Sequence, residues 1–208
     1  MAPPIEASLP FNPSKHDIFI SQGFDGPYSH NRFSVRTCQY DLRYALDFAL
    51  PVGATVLAAR QGIVHWIIQG NGRCYTGIDP EQGRKAVASS ITLAHPEIGE
   101  GDDWIYSHYQ HLDPESFLVD DGDQVEEGQP LAKTGLSGWV GDLPHLHLHF
   151  QYSENVPKKG PVVTSVPFSL KGVHADLTDA GCVRRLMEDA REAAQKIVAI
   201  RRRDGFLE

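Results

Sequence analysis

The chain is poor in cysteine, in long apolar runs and in positive charge. Its 208 residues include three cysteines, which lie far apart at Cys38, Cys74 and Cys182. This odd count leaves room for one disulfide, but it excludes a disulfide framework and a CxxC metal-binding pair. No apolar run approaches the roughly 20 residues of a transmembrane helix. The formal net charge of −8 argues against general binding of nucleic acid, because phosphates repel an acidic surface.

The beginning of the sequence also lacks a recognisable targeting segment. Its first ten residues, MAPPIEASLP, contain no basic stretch followed by an apolar one, so no secretory signal peptide is visible. The sequence is therefore consistent with an intracellular protein or with a chain that starts after a removed signal.

Turn-forming residues are plentiful, with 19 glycines and 14 prolines. Short strand-like segments are separated by these residues at close intervals, which predicts a β-sandwich or barrel. Residues 22–43 and 69–87 are rich in Gly, Pro, Asn and charged side chains, so we expect long loops there. The predicted strands are 18–21, 45–50, 55–59, 63–68, 89–94, 104–111 and 145–152.

Both ends of the chain differ from this β-rich part. Residues 1–17 are proline-rich and predict an N-terminal arm, and residues 18–170 form the predicted β domain. In residues 171–208, apolar side chains recur at helical spacing after Thr178, a candidate N-cap. The expected fold class is mostly β, with a C-terminal α-helix packed on the sheet.

Three histidines alternate with apolar residues in the segment PHLHLHF. Successive side chains of a strand point to opposite faces, so His145, His147 and His149 share one face of the predicted strand. Imidazoles on a buried face need partners, because unpaired polar groups are costly there. Imidazole is also a preferred ligand of zinc. The pattern predicts a metal or catalytic site on this strand.

Other candidate site residues lie elsewhere in the chain. Asp47 interrupts the apolar run YALDFAL, and a carboxylate in such a strand is costly unless it is paired or bound to a metal. His108 and His111 are three residues apart, so a regular strand would send only one of them into the same site. His30 lies in the first predicted loop, where functional groups are common.

Four segments in order, YALDFALPVGATVLAARQGIV, YQHL, VDDGDQVEEGQPLAKTG and HLHF, resemble the lysostaphin-type zinc metallopeptidases. The resemblance covers about residues 18–152. It implies the family's duplicated-hybrid-motif β fold, zinc as the cofactor and peptidoglycan endopeptidase activity. It also implies a peptidoglycan peptide as substrate and a periplasmic or extracellular location, although the missing signal leaves the cytoplasm open.

The family carries His-x-x-x-Asp, Tyr-x-His-Leu and His-x-His motifs. Phe150 follows the last histidine here and sets the register of the third motif, which leaves His145 outside it. The roles that the resemblance implies are zinc ligation by Asp47 and His149 and catalysis by His111 and His147.

The first motif departs from the family pattern, because Arg43 stands where a histidine is expected four residues before Asp47. A guanidinium has no lone pair for zinc. The segment QGFDGPYSH resembles one that precedes the YAxDF strand in a branch of the family, so His30 is the implied third ligand. The alternative is a degenerate, metal-free member that binds or regulates another cell-wall hydrolase. Retention of the other matched residues favours the zinc enzyme.

Two other protein classes share parts of the pattern. A metal-dependent cupin also has a strand His-x-His, but Glu154 and His174 are poorly spaced to complete its site. A biotinyl or lipoyl carrier has a hairpin resembling GDQVEEGQPL, but Lys133 lacks the flanking residues of a modified lysine. Neither class accounts for the whole constellation.

Overall fold

Sixteen strands and one short helix occupy the part of the chain that the computed structural model describes, which is residues 5–35, 38–77, 79–100, 103–141, 143–156, 160–179 and 181. The strands are β1 (Ile5–Ala7), β2 (Ile20–Gln22), β3 (Arg32–Val35), β4 (Cys38–Asp41), β5 (Ala45–Ala49), β6 (Thr55–Leu57), β7 (Gly62–Ile68), β8 (Cys74–Tyr75), β9 (Ser90–Glu100), β10 (Asp103–Gln110), β11 (Gln124–Val125), β12 (Pro130–Lys133), β13 (Gly138–Trp139), β14 (His145–Val156), β15 (Gly160–Val166) and β16 (Phe168–Leu170). The helix α1 is Pro80–Gly83. The prediction of a mostly β fold is confirmed.

Strand β14 lies at the centre of a ten-stranded sheet. The order along this sheet is β11-β7-β9-β10-β14-β15-β4-β3, and β5 pairs with both β14 and β2. Strand β14 therefore has β10 on one edge, while β5 and then β15 pair along the other. Three two-stranded sheets, β1-β16, β12-β6 and β13-β8, complete the pairing among the described strands.

The two faces of β14 have opposite character. Leu146, Leu148 and Phe150 are each 0% exposed and belong to the hydrophobic core. Because side chains alternate along a strand, the intervening histidines lie on the opposite face. Burial of the apolar face fixes the strand in place, and the imidazoles are thereby held in a row on a rigid support.

Several strands were not predicted from the sequence. The predicted loop 22–43 contains the hairpin of β3 and β4, in which Arg32 Nε donates to Asp41 Oδ2 at 2.8 Å. Its strands, RFSV and CQYD, lack a continuous apolar face, so periodicity gave no signal. The sheet also continues beyond the last predicted strand into β15 and β16.

The N-terminal segment packs against the β domain. Strand β1 runs parallel to β16, and Ile5, Ala7 and Phe11 are buried in the hydrophobic core. The predicted domain boundaries at residues 17 and 170 stay predictions. The predicted C-terminal helix falls almost wholly outside the described residues. Within the described residues, no helix has the length and apolar character needed to cross a membrane.

A buried polar network supports the core side of the sheet. His95 is 0% exposed, and its Nδ1 lies 2.7 Å from the carbonyl oxygen of Gln61 while its Nε2 lies 2.8 Å from Ser107 Oγ. Burial lowers the pKa of His95 to about 4, so the ring is neutral in the folded protein at neutral pH.

We expect His95 to make the protein less stable in mild acid. Its folded pKa lies below the unfolded value of about 6.5, so between these values only the unfolded chain takes up the proton. Falling pH through this window therefore lowers the free energy of unfolding, by about 3 kcal/mol in total. Urea unfolding of the wild type and of His95→Gln at several pH values measures this, and a stability difference independent of pH would contradict it.

Candidate metal centre

The site is assembled by the register between β5 and β14. In this antiparallel pair, Asp47 lies directly opposite His147, so the two side chains project from the same face. Strand β2 adds Gln22 opposite Asp47 on the other edge of β5. Pairing along three strands thus brings a carboxylate, an imidazole and an amide together from distant parts of the sequence.

His30 joins this pair from the loop that follows β2. His30 Nε2 lies 3.1 Å from Asp47 Oδ1, and His147 Nδ1 lies 2.8 Å from the same oxygen. One ligand atom from each of the three residues falls within 4.8 Å of the other two. The exposed fractions are 0% for His30 and 4% for Asp47 and His147. Three potential metal ligands therefore converge in a buried position.

The hydrogen bonds of His30 fix which ring nitrogen faces Asp47. Its Nδ1 lies 2.8 Å from the carbonyl oxygen of Gly23, which only accepts, so Nδ1 carries the proton. Nε2 is the nitrogen that faces Asp47 Oδ1 at 3.1 Å, as a donor when the ring is protonated and with a lone pair when it is neutral. A lone pair facing the carboxylate of Asp47 repels it unless a proton or a metal ion lies between them.

The pKa values of His30 and Asp47 reflect how close these two side chains lie. Burial alone would lower the pKa of His30, but the Asp47 carboxylate outweighs it and raises this pKa above its usual value. Burial would likewise raise the pKa of Asp47, but the neighbouring His30 and His145 hold it well below its usual range. The carboxylate is therefore ionised, and it requires positive charge beside it.

His147 continues into a line of hydrogen bonds along β14. Its Nε2 lies 2.9 Å from His149 Nδ1, and His149 Nε2 lies 2.6 Å from Gln151 Oε1. Both nitrogens of His149 are thus engaged by neighbours on the same strand. Burial, with His147 and His108 close by, keeps the pKa of His149 well below its usual value.

Two further histidines are anchored through Nδ1 to backbone carbonyl oxygens. His111 Nδ1 lies 2.8 Å from the carbonyl oxygen of Ser137, and His145 Nδ1 lies 2.8 Å from that of Leu143. Each ring therefore donates through Nδ1, and His145 Nε2 lies 3.7 Å from Asp47 Oδ1. Their ring centroids are 4.5 Å apart. Burial, reinforced by His145, keeps the pKa of His111 well below its usual value, so this ring is an uncharged base.

The backbone at His111 departs from the strand conformation of β10. His111 has a φ of 66°, a left-handed conformation that is uncommon outside glycine and costs free energy. This conformation ends the alternation of β10, so His111 and His108 both line the cleft beside β14. Of the two, His111 is the one beside His145, and the expectation that only one enters the site stays a prediction.

The predicted ligands are only partly brought together. His30 and Asp47 meet as expected from the resemblance, but the third member of the cluster is His147, and His149 lies behind it. The ring beside the predicted catalytic residue His111 belongs to His145. The geometry therefore favours a register two residues earlier for His-x-His. A shift of two keeps every imidazole on the same face, so the sequence pattern could not distinguish the two.

Arg43, which replaces the expected histidine, is bound away from the cluster. Its Nε donates to Asp41 Oδ1 at 2.9 Å and its Nη2 to Asp41 Oδ2 at 3.0 Å. Such a bidentate pair fixes a guanidinium firmly. Arg43 therefore takes part in the hairpin of β3 and β4 and leaves the position near Asp47 to His30.

Gln22 was missed from the sequence, although it begins the QGFDGPYSH segment. Its Nε2 donates to Asp47 Oδ2 and to Ser29 Oγ, each at 2.9 Å. Its Oε1 accepts from the backbone N–H groups of Tyr28 at 3.0 Å and Ser29 at 3.3 Å. One buried amide thus connects the carboxylate to the loop that carries His30.

The cluster opens into a cleft of about 1470 Å³. His111, His145 and His147 line its floor, and large apolar side chains with substantial exposure line its walls. These wall residues are Tyr28, Trp66, Ile68, Val87 and Leu143.

Sequence comparison agrees with this geometry. The family model described as peptidase family M23 matches residues 41–161, which is more than half of the chain. The chain belongs to peptidase family M23. The match includes Asp47, His111 and all three histidines of β14, and it confirms the resemblance to lysostaphin-type metallopeptidases. None of the curated proteins compared with the chain matches it.

Three peptidases are among the solved structures that are similar to this chain. Lysostaphin from Staphylococcus simulans is 17% identical with a TM-score of 0.42, and the match covers 69% of this chain and 46% of lysostaphin. A zinc-containing peptidase from Vibrio cholerae is 22% identical with a TM-score of 0.44, covering 78% and 39% of the two chains. The deep-sea M23 metalloprotease pseudoalterin is 15% identical with a TM-score of 0.47, covering 83% and 82%. The chain thus spans less than half of the first two, and its family membership rests on the family match.

We expect Gly26→Ala to displace Gln22 from Asp47. A Cβ at residue 26 would lie 2.3 Å from Gln22 Cγ, so the amide must move, at a cost of about 1–3 kcal/mol in unfolding free energy. In a Gln22→Ala background the same glycine substitution should cost much less, because the clashing side chain is gone. Urea unfolding of the four proteins in this double-mutant cycle measures the coupling, and strictly additive effects would contradict the contact.

Proposed function

We propose that this protein is a zinc-dependent endopeptidase that hydrolyses peptide cross-links or stem peptides of peptidoglycan. The observation that carries this proposal is the convergence of His30 Nε2 and His147 Nδ1 on the buried Asp47 Oδ1, at 3.1 and 2.8 Å. Membership of a peptidase family supports hydrolysis of a peptide bond. A periplasmic or extracellular location follows if the substrate is peptidoglycan.

We propose His30, Asp47 and His147 as the residues that hold zinc. Two imidazole nitrogens and one carboxylate oxygen are a usual donor set for a catalytic zinc, which keeps a position open for water or substrate. When bound, zinc supplies Lewis acidity and lowers the pKa of a bound water. The set with His149 in place of His147, implied by the position of Phe150, is the competing assignment.

His111 and His145 are proposed to move the proton during hydrolysis. Each ring is anchored through Nδ1 to a backbone carbonyl oxygen, and His145 Nε2 lies 3.7 Å from Asp47 Oδ1. A neutral imidazole in this state can take a proton from the attacking water and later give it to the leaving amine. Once protonated, the second ring can stabilise negative charge on the carbonyl oxygen. Anchoring by Ser137 and Leu143 keeps both nitrogens in the cleft.

The metal-free alternative is motivated by Arg43, and the position of that residue supports the zinc enzyme instead. The guanidinium is paired with Asp41 and takes no ligand position. A zinc ion would supply positive charge beside the ionised, buried Asp47, so the zinc enzyme is the function we propose.

We expect the wild type to retain a single zinc ion after dialysis, measured by elemental analysis together with protein concentration. His30→Ala, Asp47→Ala and His147→Ala should each lose the ion, because removal of one of three protein ligands destroys the site. Arg43→Ala is the matched control, and it should retain zinc at the wild-type stoichiometry.

Two outcomes would contradict this assignment. A wild type without zinc would remove the proposed function. If His149→Ala loses the ion while His147→Ala retains it, the competing ligand set is correct.

Removal of the proposed proton carriers should stop turnover without removing zinc. His111→Ala and His145→Ala are each expected to lower peptide release from purified peptidoglycan by about 10²–10⁴-fold, with zinc content unchanged. His174→Ala, which changes an exposed histidine, is the control and should keep wild-type turnover. Wild-type turnover by His111→Ala would show that this ring takes no part in the chemistry.

A further inference from the structure

The row of hydrogen bonds that runs along β14 from Asp47 contains more contacts than its two neutral imidazoles have protons to donate. Three contacts join four groups in sequence: Asp47 Oδ1 to His147 Nδ1 at 2.8 Å, His147 Nε2 to His149 Nδ1 at 2.9 Å, and His149 Nε2 to Gln151 Oε1 at 2.6 Å. The carboxylate and the amide oxygen at the two ends can only accept. Every proton in the chain must therefore come from the two imidazoles, and two neutral rings supply two protons for three contacts.

A third proton on these rings would place a positive charge where little water can reach it. His147 is 4% exposed and His149 is 1% exposed, and a buried charge is costly. A cation held by Asp47 and His147 would remove the shortage without charging a ring. The two ring protons would then lie on Nε2 of His147 and on Nε2 of His149, directed away from Asp47.

When Gln151 turns its Oε1 toward His149, His149 must donate from Nε2 and accept at Nδ1 from His147 Nε2. His147 then has its lone pair on Nδ1. The opposite rotamer of the amide would donate to His149 and reverse both tautomers, so that His147 Nδ1 carries a proton toward Asp47. The amide of Gln151 can adopt either orientation because it carries both an acceptor and a donor. The far end of the chain thus selects which nitrogen of His147 is free.

The ring of His149 is also held from the side. His108 lies opposite His149 on β10, with the two ring centroids 5.2 Å apart. His108 Nδ1 is itself 2.6 Å from Thr92 Oγ1. These contacts restrict rotation of the His149 ring, so its two nitrogens stay aligned with His147 and Gln151.

We propose that His149 and Gln151 are positioning residues, which fix His147 in the tautomer whose Nδ1 lone pair is directed at the metal. His149 acts through His147, and Gln151 acts through His149, without touching the ion. Groups of this kind, hydrogen-bonded behind a metal-ligating histidine, typically change metal affinity by 10–100-fold. This inference rests on the proposed function, since it assumes a metal at His147.

The test is the zinc dissociation constant of the full chain, measured by competition with a chromogenic chelator at fixed pH. We expect Gln151→Leu, which can neither accept nor donate, to bind zinc about 10–100-fold more weakly than the wild type. Gln151→Glu keeps only acceptors at this position and should bind at least as tightly as the wild type. His149→Leu should be weakened about as much as Gln151→Leu, whereas His149→Asn keeps an acceptor near Nδ1 and should recover most of the affinity.

A matched control separates hydrogen bonding from charge, because Gln151→Glu also adds a negative charge. Gln110 lies opposite His147 on β10 and lines the same cleft. Gln110→Glu therefore adds the same charge beside His147 without a bond to His149. If Gln110→Glu tightens zinc binding as much as Gln151→Glu, charge alone accounts for the effect and the inference is wrong.

Tautomers give a second readout that does not depend on affinity. In long-range 1H–15N NMR spectra of the zinc-loaded protein, both His147 and His149 should carry their proton on Nε2. A proton on His149 Nδ1 would overturn the inference even if zinc is bound. Should Gln151→Leu fail to fold, the comparison of Gln151→Glu with Gln110→Glu and these spectra still decide the outcome.

The possible failures are distinguishable. A wild type that binds no zinc removes the proposed function and this inference together. A wild type that binds zinc with the same affinity as Gln151→Leu removes only the inference. Complete loss of zinc in both His149→Asn and His149→Leu would make His149 a ligand, which also overturns the positioning role.

Discussion

The pairing of β5 with β14 is the constraint on which the site depends. It places Asp47 opposite His147 and, on the other face, Leu146 opposite Phe48. Strand β10 fixes the other edge of β14, where Gln110 lies opposite His147. A slip of one residue would expose the leucines and bury the histidines in the core. Apolar burial on one face therefore determines the chemistry that is available on the other.

A buried carboxylate imposes the next condition. Asp47 is almost fully enclosed, and a charge in that position requires hydrogen bonds and opposite charge to offset desolvation. Gln22 supplies a bond to one oxygen, while His30 and His147 approach the other. The same amide binds the loop that carries His30. The proposed ligand position of His30 therefore depends on this loop, while Arg43 pairs with Asp41 in the adjacent hairpin.

The sequence predicted the parts of this arrangement that depend on periodicity. Alternation in HLHLHF identified both the strand and its histidine face, and Asp47 was recognised because a carboxylate is unusual in an apolar run. The hairpin of β3 and β4 lacked such a pattern. The left-handed backbone of His111 and the bonds made by Gln22 depend on tertiary contacts that a single sequence does not display. The choice between His147 and His149 was likewise beyond the pattern, because a shift of two residues leaves the faces unchanged.

The three histidines of β14 differ only in what surrounds them. His145 is anchored by a backbone carbonyl oxygen and lines the cleft, His147 meets Asp47, and His149 is enclosed between His147 and a side-chain amide. Alternation makes the three rings equivalent with respect to the sheet, but the ends of their hydrogen bonds differ. An imidazole that ends on a carbonyl oxygen can exchange a proton, one beside a carboxylate can share a cation, and one bonded at both nitrogens can only transmit orientation. The three roles proposed for these histidines thus follow from their positions along one strand.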